Sequence, residues 1–198
     1  MKTYTLSQKP TNEESYILPK IIWTYWHDEA LPEFVSNIQK QNKLILKDWS
    51  YIMIHENTLK KYINDLPPNY ILLGQSHKAD YIRLALLEKF GGVWLDATVT
   101  VNSLKQFEAM YNQSLTLQSE FTGFYTPMGL RNKDPSTFIE SWFIMAPKDS
   151  RVIKEAYKEF TMACTTDFES YRTKALKENV LSTNIYNPEN PHDVYLTV

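Results

Sequence analysis

Three side chains near the middle of the chain have the types and spacing of a site for a phosphorylated, metal-associated ligand: Asp80, Arg83 and Asp96. The planar fork of an arginine grips oxyanions through two hydrogen bonds at once. Hard cations such as Mg2+ and Mn2+ favour carboxylate and water oxygens, and Mg2+ often takes only one or two carboxylates beside substrate phosphates. Asp80 and Arg83 are three residues apart, so on a helix they point the same way.

The stretch that must position them runs from Ser76 to Val101, SHKADYIRLALLEKFGGVWLDATVTV. Ala79, Ile82, Leu86 and Phe90 fall at helical spacing as one apolar stripe, with Asp80, Arg83 and Leu87 on the stripe beside it. Ser76 is the expected N-cap. Gly91 suits the left-handed residue that ends a helix, and Gly92 lets the chain turn. Val93-Trp94-Leu95 is apolar without alternation, as in a strand covered on both faces, and it delivers Asp96 to the strand's carboxyl end. In open α/β sheets that end borders the ligand crevice. Each residue also has a plainer reading. Asp80 and Arg83 can form an ordinary intrahelical pair worth roughly 0.2–0.5 kcal/mol, and Asp96 can cap a turn.

The pattern Ala-Asp-x-x-Arg, then leucines, then Gly-Gly-x-Trp-x-Asp resembles the sugar-binding region of DXD-containing glycosyltransferases, the group of the clostridial glucosylating toxins and yeast-type α-mannosyltransferases. Gly-Gly-Val-Trp-Leu-Asp-Ala-Thr-Val is most similar to the bacterial capsular polysaccharide synthesis protein family. The likeness extends to Pro19-Lys20-Ile21-Ile22-Trp23-Thr24-Tyr25-Trp26 and, more weakly, to Ser141-Trp142-Phe143-Ile144-Met145-Ala146, spanning roughly residues 18 to 163. It implies a GT-A fold and transfer of a sugar from a nucleoside diphosphate donor to a growing capsular or cell-surface glycan. It also implies metal assistance and retention at the anomeric carbon.

The resemblance further implies that Asp80 and Arg83 hold the donor sugar and nearby phosphate, and that Asp96 binds Mn2+ or Mg2+. Trp23 would lie against the base. Tyr25, Trp94, Ser141 and Trp142 would line the substrate pocket. The sequence departs from the family at Thr98, which replaces the second aspartate of the DXD; a neutral hydroxyl there would reach the cation through a water. Related enzymes also carry further C-terminal segments, for which only His192-Asp193 stand here. These departures keep a second reading open, a non-catalytic nucleotide- or glycan-binding relic. A dinucleotide-dependent reductase is disfavoured by the missing G-x-G-x-x-G.

Composition sets the outer limits. With 198 residues the chain suits one domain. Its 21 basic and 23 acidic residues give a net charge of −2, without the basic excess of a nucleic-acid binder. The single cysteine, Cys164, excludes an internal disulfide. No run approaches the ~20 apolar residues that span a bilayer, and the N-terminus lacks a signal-peptide core. The expectation is a cytoplasmic protein, with association at the inner face of a membrane compatible with a lipid-linked oligosaccharide acceptor. His27, His55 and His77 have no metal-ligand spacing.

Taken in order, residues 1–17 read as a loose lead-in, and residues 18–198 as a single α/β domain with a mainly parallel sheet. Strands are expected at Ile21–Trp26 and Trp49–Ile54, with a helix from Pro32 to Lys47 whose inward residues are Phe34, Ile38 and Ile45. A short helix follows near Leu59 and Ile63, then the central helix and strand. Beyond Val101 the pattern predicts a helix over 104–111, strands over 115–117, 121–126 and 138–146, and helices over 150–164 and 168–178.

Overall fold

Strand β2 (Ile21–Tyr25) is the middle strand of the parallel part of the sheet in the computed structural model, which describes residues 2–6, 16–127 and 137–178. Its β-branched and aromatic residues pair in parallel with β3 (Ser50–Ile54) on one side and β4 (Gly92–Leu95) on the other. Three further strands complete the sheet: β1 (Lys2–Leu6), β5 (Phe121–Pro127) and β6 (Thr137–Ala146). The order is β1-β5-β6-β4-β2-β3. The α/β class is as expected, but the parallel character is confined to β3, β2 and β4. The pairings of β4 with β6, β6 with β5 and β5 with β1 are antiparallel. Parallel neighbours need helical crossovers, whereas antiparallel ones such as β5 and β6 do not, and no helix lies between those two among the described residues.

Helix α1 (Glu33–Ile45) joins β2 to β3, and α2 (Gln75–Phe90) joins β3 to β4. The first connection steps to one side of β2 and the second returns past it. Right-handed crossovers therefore put the two helices on opposite faces. Alternation along the strands divides the core accordingly. Trp23, Trp94, Ile144 and Ala146 face α2 and helix α4 (Arg151–Thr166). Ile22, Val93, Leu95, Phe143 and Met145 face the other way, toward Leu46, Trp49 and helix α3 (Leu104–Leu117). Complete burial of each of the larger aliphatic and phenyl side chains among these contributes roughly 1.5–3 kcal/mol. Helix α5 (Phe168–Lys177) packs on α4.

Several expectations change. Residues 2–6, read as lead-in, form edge strand β1. Residues 115–117, read as a strand, are the last turn of α3, which Ser103 caps through its hydroxyl and Gln118 ends in a left-handed conformation. The cap of α2 is Gly74, not Ser76, with no side-chain bond. The short helix near Leu59 is a single 3-10 turn, Leu59–Lys61. On α1 the buried face is Val35, Gln39 and Asn42, while Phe34 is 58% exposed. A Pro32 that caps the helix instead of opening it shifts little; what was missed is that two amides face inward.

Gly91 and Gly92 set the join between α2 and β4. Both have positive φ, 67° and 103°. A Cβ on Gly91 would stand 2.9 Å from the Lys148 Cα, and one on Gly92 would stand 2.7 Å from the Ile21 carbonyl oxygen. Only glycine gives both the conformation and the clearance. The tight join returns the chain directly beside α2, which brings Arg83 up to Asp96.

Candidate functional site

The carboxyl ends of β2 and β4 diverge, because one chain continues toward α1 and the other into the loop 96–101. This is the switch point at which open α/β sheets bind ligands. A cleft of about 260 Å3 opens there, lined by Tyr25, Trp26 and His27 from the end of β2, Gln75, Ser76 and Ala79 from α2, and Trp94, Asp96, Ala97 and Thr98 from β4 and its loop. The N-terminal turn of α2 thus borders the cleft. Its first N–H groups have no partner within the helix, and the helix dipole is positive at that end.

Asp96 is the first residue after β4 and lies on the same face as Trp94. Its N–H donates to the Trp142 carbonyl at 2.9 Å, and its own carbonyl accepts from Val99 N–H at 2.9 Å. Its Oδ1 accepts from Trp94 Nε1 at 2.6 Å and from Arg83 Nη2 at 3.2 Å. No described residue donates a hydrogen bond to Oδ2. Arg83 places its other terminal nitrogen, Nη1, 2.6 Å from Asp80 Oδ1, and its guanidinium lies 5.2 Å from the centre of the Trp94 ring. One arginine is therefore held by two carboxylates and an indole.

Burial separates the roles of these three. The side chains of Arg83 and Asp80 are 4% and 9% exposed, and neither lines the cleft; that of Asp96 is 35% exposed and does. The expected group of three is brought together, but Asp80 and Arg83 stand behind the wall. Asp80 neutralises Arg83 and leaves the charge of Asp96 available to the cleft. Burial, and after it the Asp80 charge, pushes the Cys164 thiol up to about 12, so it stays protonated and unreactive.

The aromatic expectation is corrected. Trp23 is 2% exposed, donates from Nε1 to the Gly91 carbonyl at 2.9 Å, and packs on Tyr62 and Phe90. It points toward the start of β4 and belongs to the core. The tryptophan of this segment that lines the cleft is Trp26, half-buried and just beyond the strand. Its N–H donates to the Ile54 carbonyl at 3.0 Å, and its carbonyl lies 3.0 Å from His55 Nδ1. The sequence carries no local signal for this, because where β2 stops pairing is set by its register with β3 and β4.

Tyr25 lines the cleft and is largely buried. Its hydroxyl donates to Glu56 Oε1 at 2.7 Å; Tyr70 donates to the same carboxylate, and Lys78 Nζ lies 3.3 Å from it. Burial first, then the Glu56 hydrogen bond, holds the Tyr25 phenol far above its ordinary value. It remains a donor at any physiological pH. Trp94 is 1% exposed and acts on the cleft through its bond to Asp96. Ser141 and Trp142 do not line the cleft. Trp142 stacks on Phe124 at 4.7 Å, against the core on the far face, and contributes only its carbonyl to Asp96. His77 stacks on Phe168. His192 and Asp193 lie outside the described residues.

As a cation site, the cleft offers one carboxylate oxygen, Asp96 Oδ2, and the exposed hydroxyl-bearing Thr98. Among the described residues no three His, Cys, Asp or Glu side chains cluster as metal ligands. That donor set suits a Mg2+ or Mn2+ ion held mostly by a bound diphosphate and water, and is too poor for a tightly resident ion.

The capsular polysaccharide synthesis protein family model matches residues 1–163. Inositol phosphoceramide mannosyltransferase 3 of Schizosaccharomyces pombe is 27% identical over 96 residues, which is 46% of this chain and 27% of that protein. The solved PaToxG glycosyltransferase aligns over 91% of this chain and 66% of its own, with 14% identity and a TM-score of 0.45. The chain thus matches about a quarter of the curated relative's length. Among the described residues, no helix is long and apolar enough to cross a membrane.

Proposed function

We propose that the chain, which belongs to the capsular polysaccharide synthesis protein family, is a glycosyltransferase of GT-A type that uses a nucleoside diphosphate sugar. The observation that carries this reading is the pairing of Asp96, one carboxylate oxygen left open, with the N-terminal turn of α2 across a single cleft. The helix end suits the negative diphosphate. Asp96 repels it, and a divalent cation held at this carboxylate would remove that conflict. Mn2+ or Mg2+ would be held by Asp96 Oδ2 and, through water, by Thr98, and would neutralise the charge of the departing nucleoside diphosphate.

The chain's own residues divide the remaining work. Trp26, half-buried at the cleft with its ring 5.3 Å from that of His27, would stack on the base, worth roughly 1–3 kcal/mol by analogy with base stacking in nucleic-acid sites. Tyr25 walls the same side. Arg83 and Trp94 fix Asp96 by two hydrogen bonds to Oδ1, so the carboxylate rotates little when the ligand enters. Asp80 holds Arg83. The acceptor in this reading is a cell-surface glycan or its lipid-linked precursor. Capsular polysaccharide synthesis, for which the family is named, and the phosphoceramide in the name of the yeast relative both support it. Retention at the anomeric carbon rests on the family likeness.

A second reading, a nucleotide-binding relic without transfer, is favoured by Thr98, which leaves a single carboxylate in the cleft. Incubating the protein with labelled UDP-, GDP- and CDP-sugars and a lipid-linked oligosaccharide, with and without Mn2+, separates the two. Metal-dependent labelling of the acceptor is the expected result. Nucleotide binding without labelling selects the relic, and absence of both rejects the cleft as a donor site.

A further inference from the structure

Helix α1 carries two buried amides that have no reason to be there for packing. Gln39 is 3% exposed and Asn42 is fully buried, on a helix face that is otherwise apolar at Val35. Both donate a hydrogen bond to the chain that follows Asp96. Gln39 Nε2 donates to the Ala97 carbonyl at 2.8 Å, while its Oε1 accepts from the Tyr51 hydroxyl at 2.9 Å. Asn42 Nδ2 donates to the Val99 carbonyl at 2.8 Å, and its Oδ1 accepts from the Val101 N–H at 2.9 Å. The carbonyls of residues 97 and 99 and the amide of 101 all point at α1. The residue between the first two, Thr98, is turned out into the cleft.

We infer that Gln39 and Asn42 are positioning residues of the cleft: a two-point clamp that holds the Asp96–Val101 loop with Asp96 and Thr98 presented to the ligand. The inference rests on the donor-site reading above. A loop has no ladder of its own to fix it, and buried carbonyls demand partners. Two amides serve because each offers a donor and an acceptor from one rigid plane. Tyr51 holds the Gln39 amide in the orientation that puts its NH2 toward Ala97. The clamp reaches the ligand only through backbone, so neither residue touches substrate.

The test pairs Gln39→Met and Asn42→Ala with Leu46→Ala, a control at the buried residue that ends α1, which makes no hydrogen bond to the loop. Gln39→Glu and Asn42→Asp, which keep the side-chain shape, replace the first two if either fails to fold. The first readout is amide hydrogen exchange of residues 96–101, followed in the full chain without ligand. Clamp variants are expected to exchange there at least tenfold faster than wild type, with α2 unchanged, and the Leu46 variant to leave the loop protected. Wild-type exchange in the clamp variants, or equal loosening in the control, overturns the clamp. The second readout is Mn2+ titrated in the presence of UDP and, separately, GDP. The clamp variants should bind Mn2+ about tenfold more weakly than wild type. Wild-type affinity with a loosened loop overturns the positioning role. Failure of the wild-type protein itself to bind either pair, with the loop loosened as expected, removes the donor-site reading while the clamp stands.

Discussion

Arg83 meets Asp96 at one oxygen only. Nη2 lies 3.2 Å from Oδ1, the oxygen that also takes the Trp94 Nε1–H bond at 2.6 Å, and Nη1 goes to Asp80 at 2.6 Å. The guanidinium is thus spent inside the protein, orienting a carboxylate whose second oxygen belongs to the cleft. Two groups from the middle of a helix bear on the cleft through a third at a strand end.

The first prediction follows from that division. Arg83→Lys keeps the charge but loses the fork, so it cannot bridge Asp80 and Asp96 together. Loss of a buried charged hydrogen bond should cost about 1.5–3 kcal/mol of stability. Arg83→Met leaves Asp80 buried without its cation and should cost more, on the order of 3–5 kcal/mol. Urea unfolding of the three proteins checks the order wild type, Lys, Met. A Lys variant as stable as wild type would reduce the pair to an incidental contact.

The two tryptophans of the first strand region should behave oppositely. Trp23→Phe strands the Gly91 carbonyl, which is buried against the indole, and should lower stability by about 1–3 kcal/mol while leaving nucleotide affinity alone. Trp26→Ala removes a half-exposed ring at the cleft and should lower UDP or GDP affinity by about 1–3 kcal/mol with little change in stability. Melting curves and calorimetric titration of both variants decide the matter. An affinity loss on Trp23→Phe alone would return the base to the inner tryptophan.

The contrast between these residues marks how far the sequence is legible. Asp80, Arg83 and Asp96 can be read as a unit because their relation is local: three residues on a helix, a glycine pair, and a four-residue strand. The register of β2 against β4 is not local, and it is register that puts Trp23 opposite Trp94 in the core and leaves Trp26 outside. Gln39 and Asn42 escaped notice because polar residues on a helix read as outward, and their partners Ala97 and Val99 lie far along the chain. Strand β1 is invisible for the same reason, since its partner β5 begins at Phe121. The parallel half of the sheet could be read from alternating strands and helices, whereas the antiparallel half carries no such alternation.

Stability should fall on the alkaline side. Burial first raises the Cys164 thiol from 9.0 to about 12, and it likewise raises the phenols of Tyr25, Tyr70 and Tyr81 well above 10.0. The folded state holds these protons longer than the unfolded state does. Their stabilisation is therefore complete below the unfolded values and is lost as pH rises toward the folded ones. Urea midpoints should be flat up to about pH 9 and decline above it, with the thiol responsible for the first unit. Cys164→Ser removes that contribution, so its decline should begin near pH ~10, where the phenols take over. An unchanged onset would show that the thiol ionises as easily folded as unfolded.

Gly92→Ala should be more harmful than its size suggests. The added Cβ would stand 2.7 Å from the Ile21 carbonyl oxygen, and the residue would have to hold a φ of 103°. Backbone strain of this kind costs on the order of 1–3 kcal/mol before the clash is counted. The same shift displaces β4 relative to β2, so nucleotide affinity should fall with stability. Thermal unfolding and UDP titration, run together, test the coupling; a stable variant with lost affinity, or the reverse, would separate the join from the cleft.

The last prediction concerns Asp96 and Thr98, which both line the cleft. Asp96 brings one charge and one open oxygen. Thr98 is exposed and neutral, at the position where the family resemblance implies a second acid. A single carboxylate oxygen gives little affinity for Mn2+ in water, because the ion surrenders hydration for one ligand. A diphosphate in the cleft adds negative oxygens and changes the balance. Mn2+ should therefore bind the free protein weakly and the nucleoside diphosphate complex much more tightly. Thr98→Asp should strengthen binding to the free protein by supplying the missing charge. Asp96→Asn should abolish the part of metal binding that depends on nucleotide, and it should also weaken the fold slightly, since Arg83 keeps only Asp80 as a charged partner. Calorimetric titration of Mn2+ into wild type and both variants, with and without UDP or GDP, measures each of these effects. Equal metal affinity in the three proteins would mean that Asp96 and Thr98 do not form the cation site, and a nucleotide-binding relic would then be the better description of the chain.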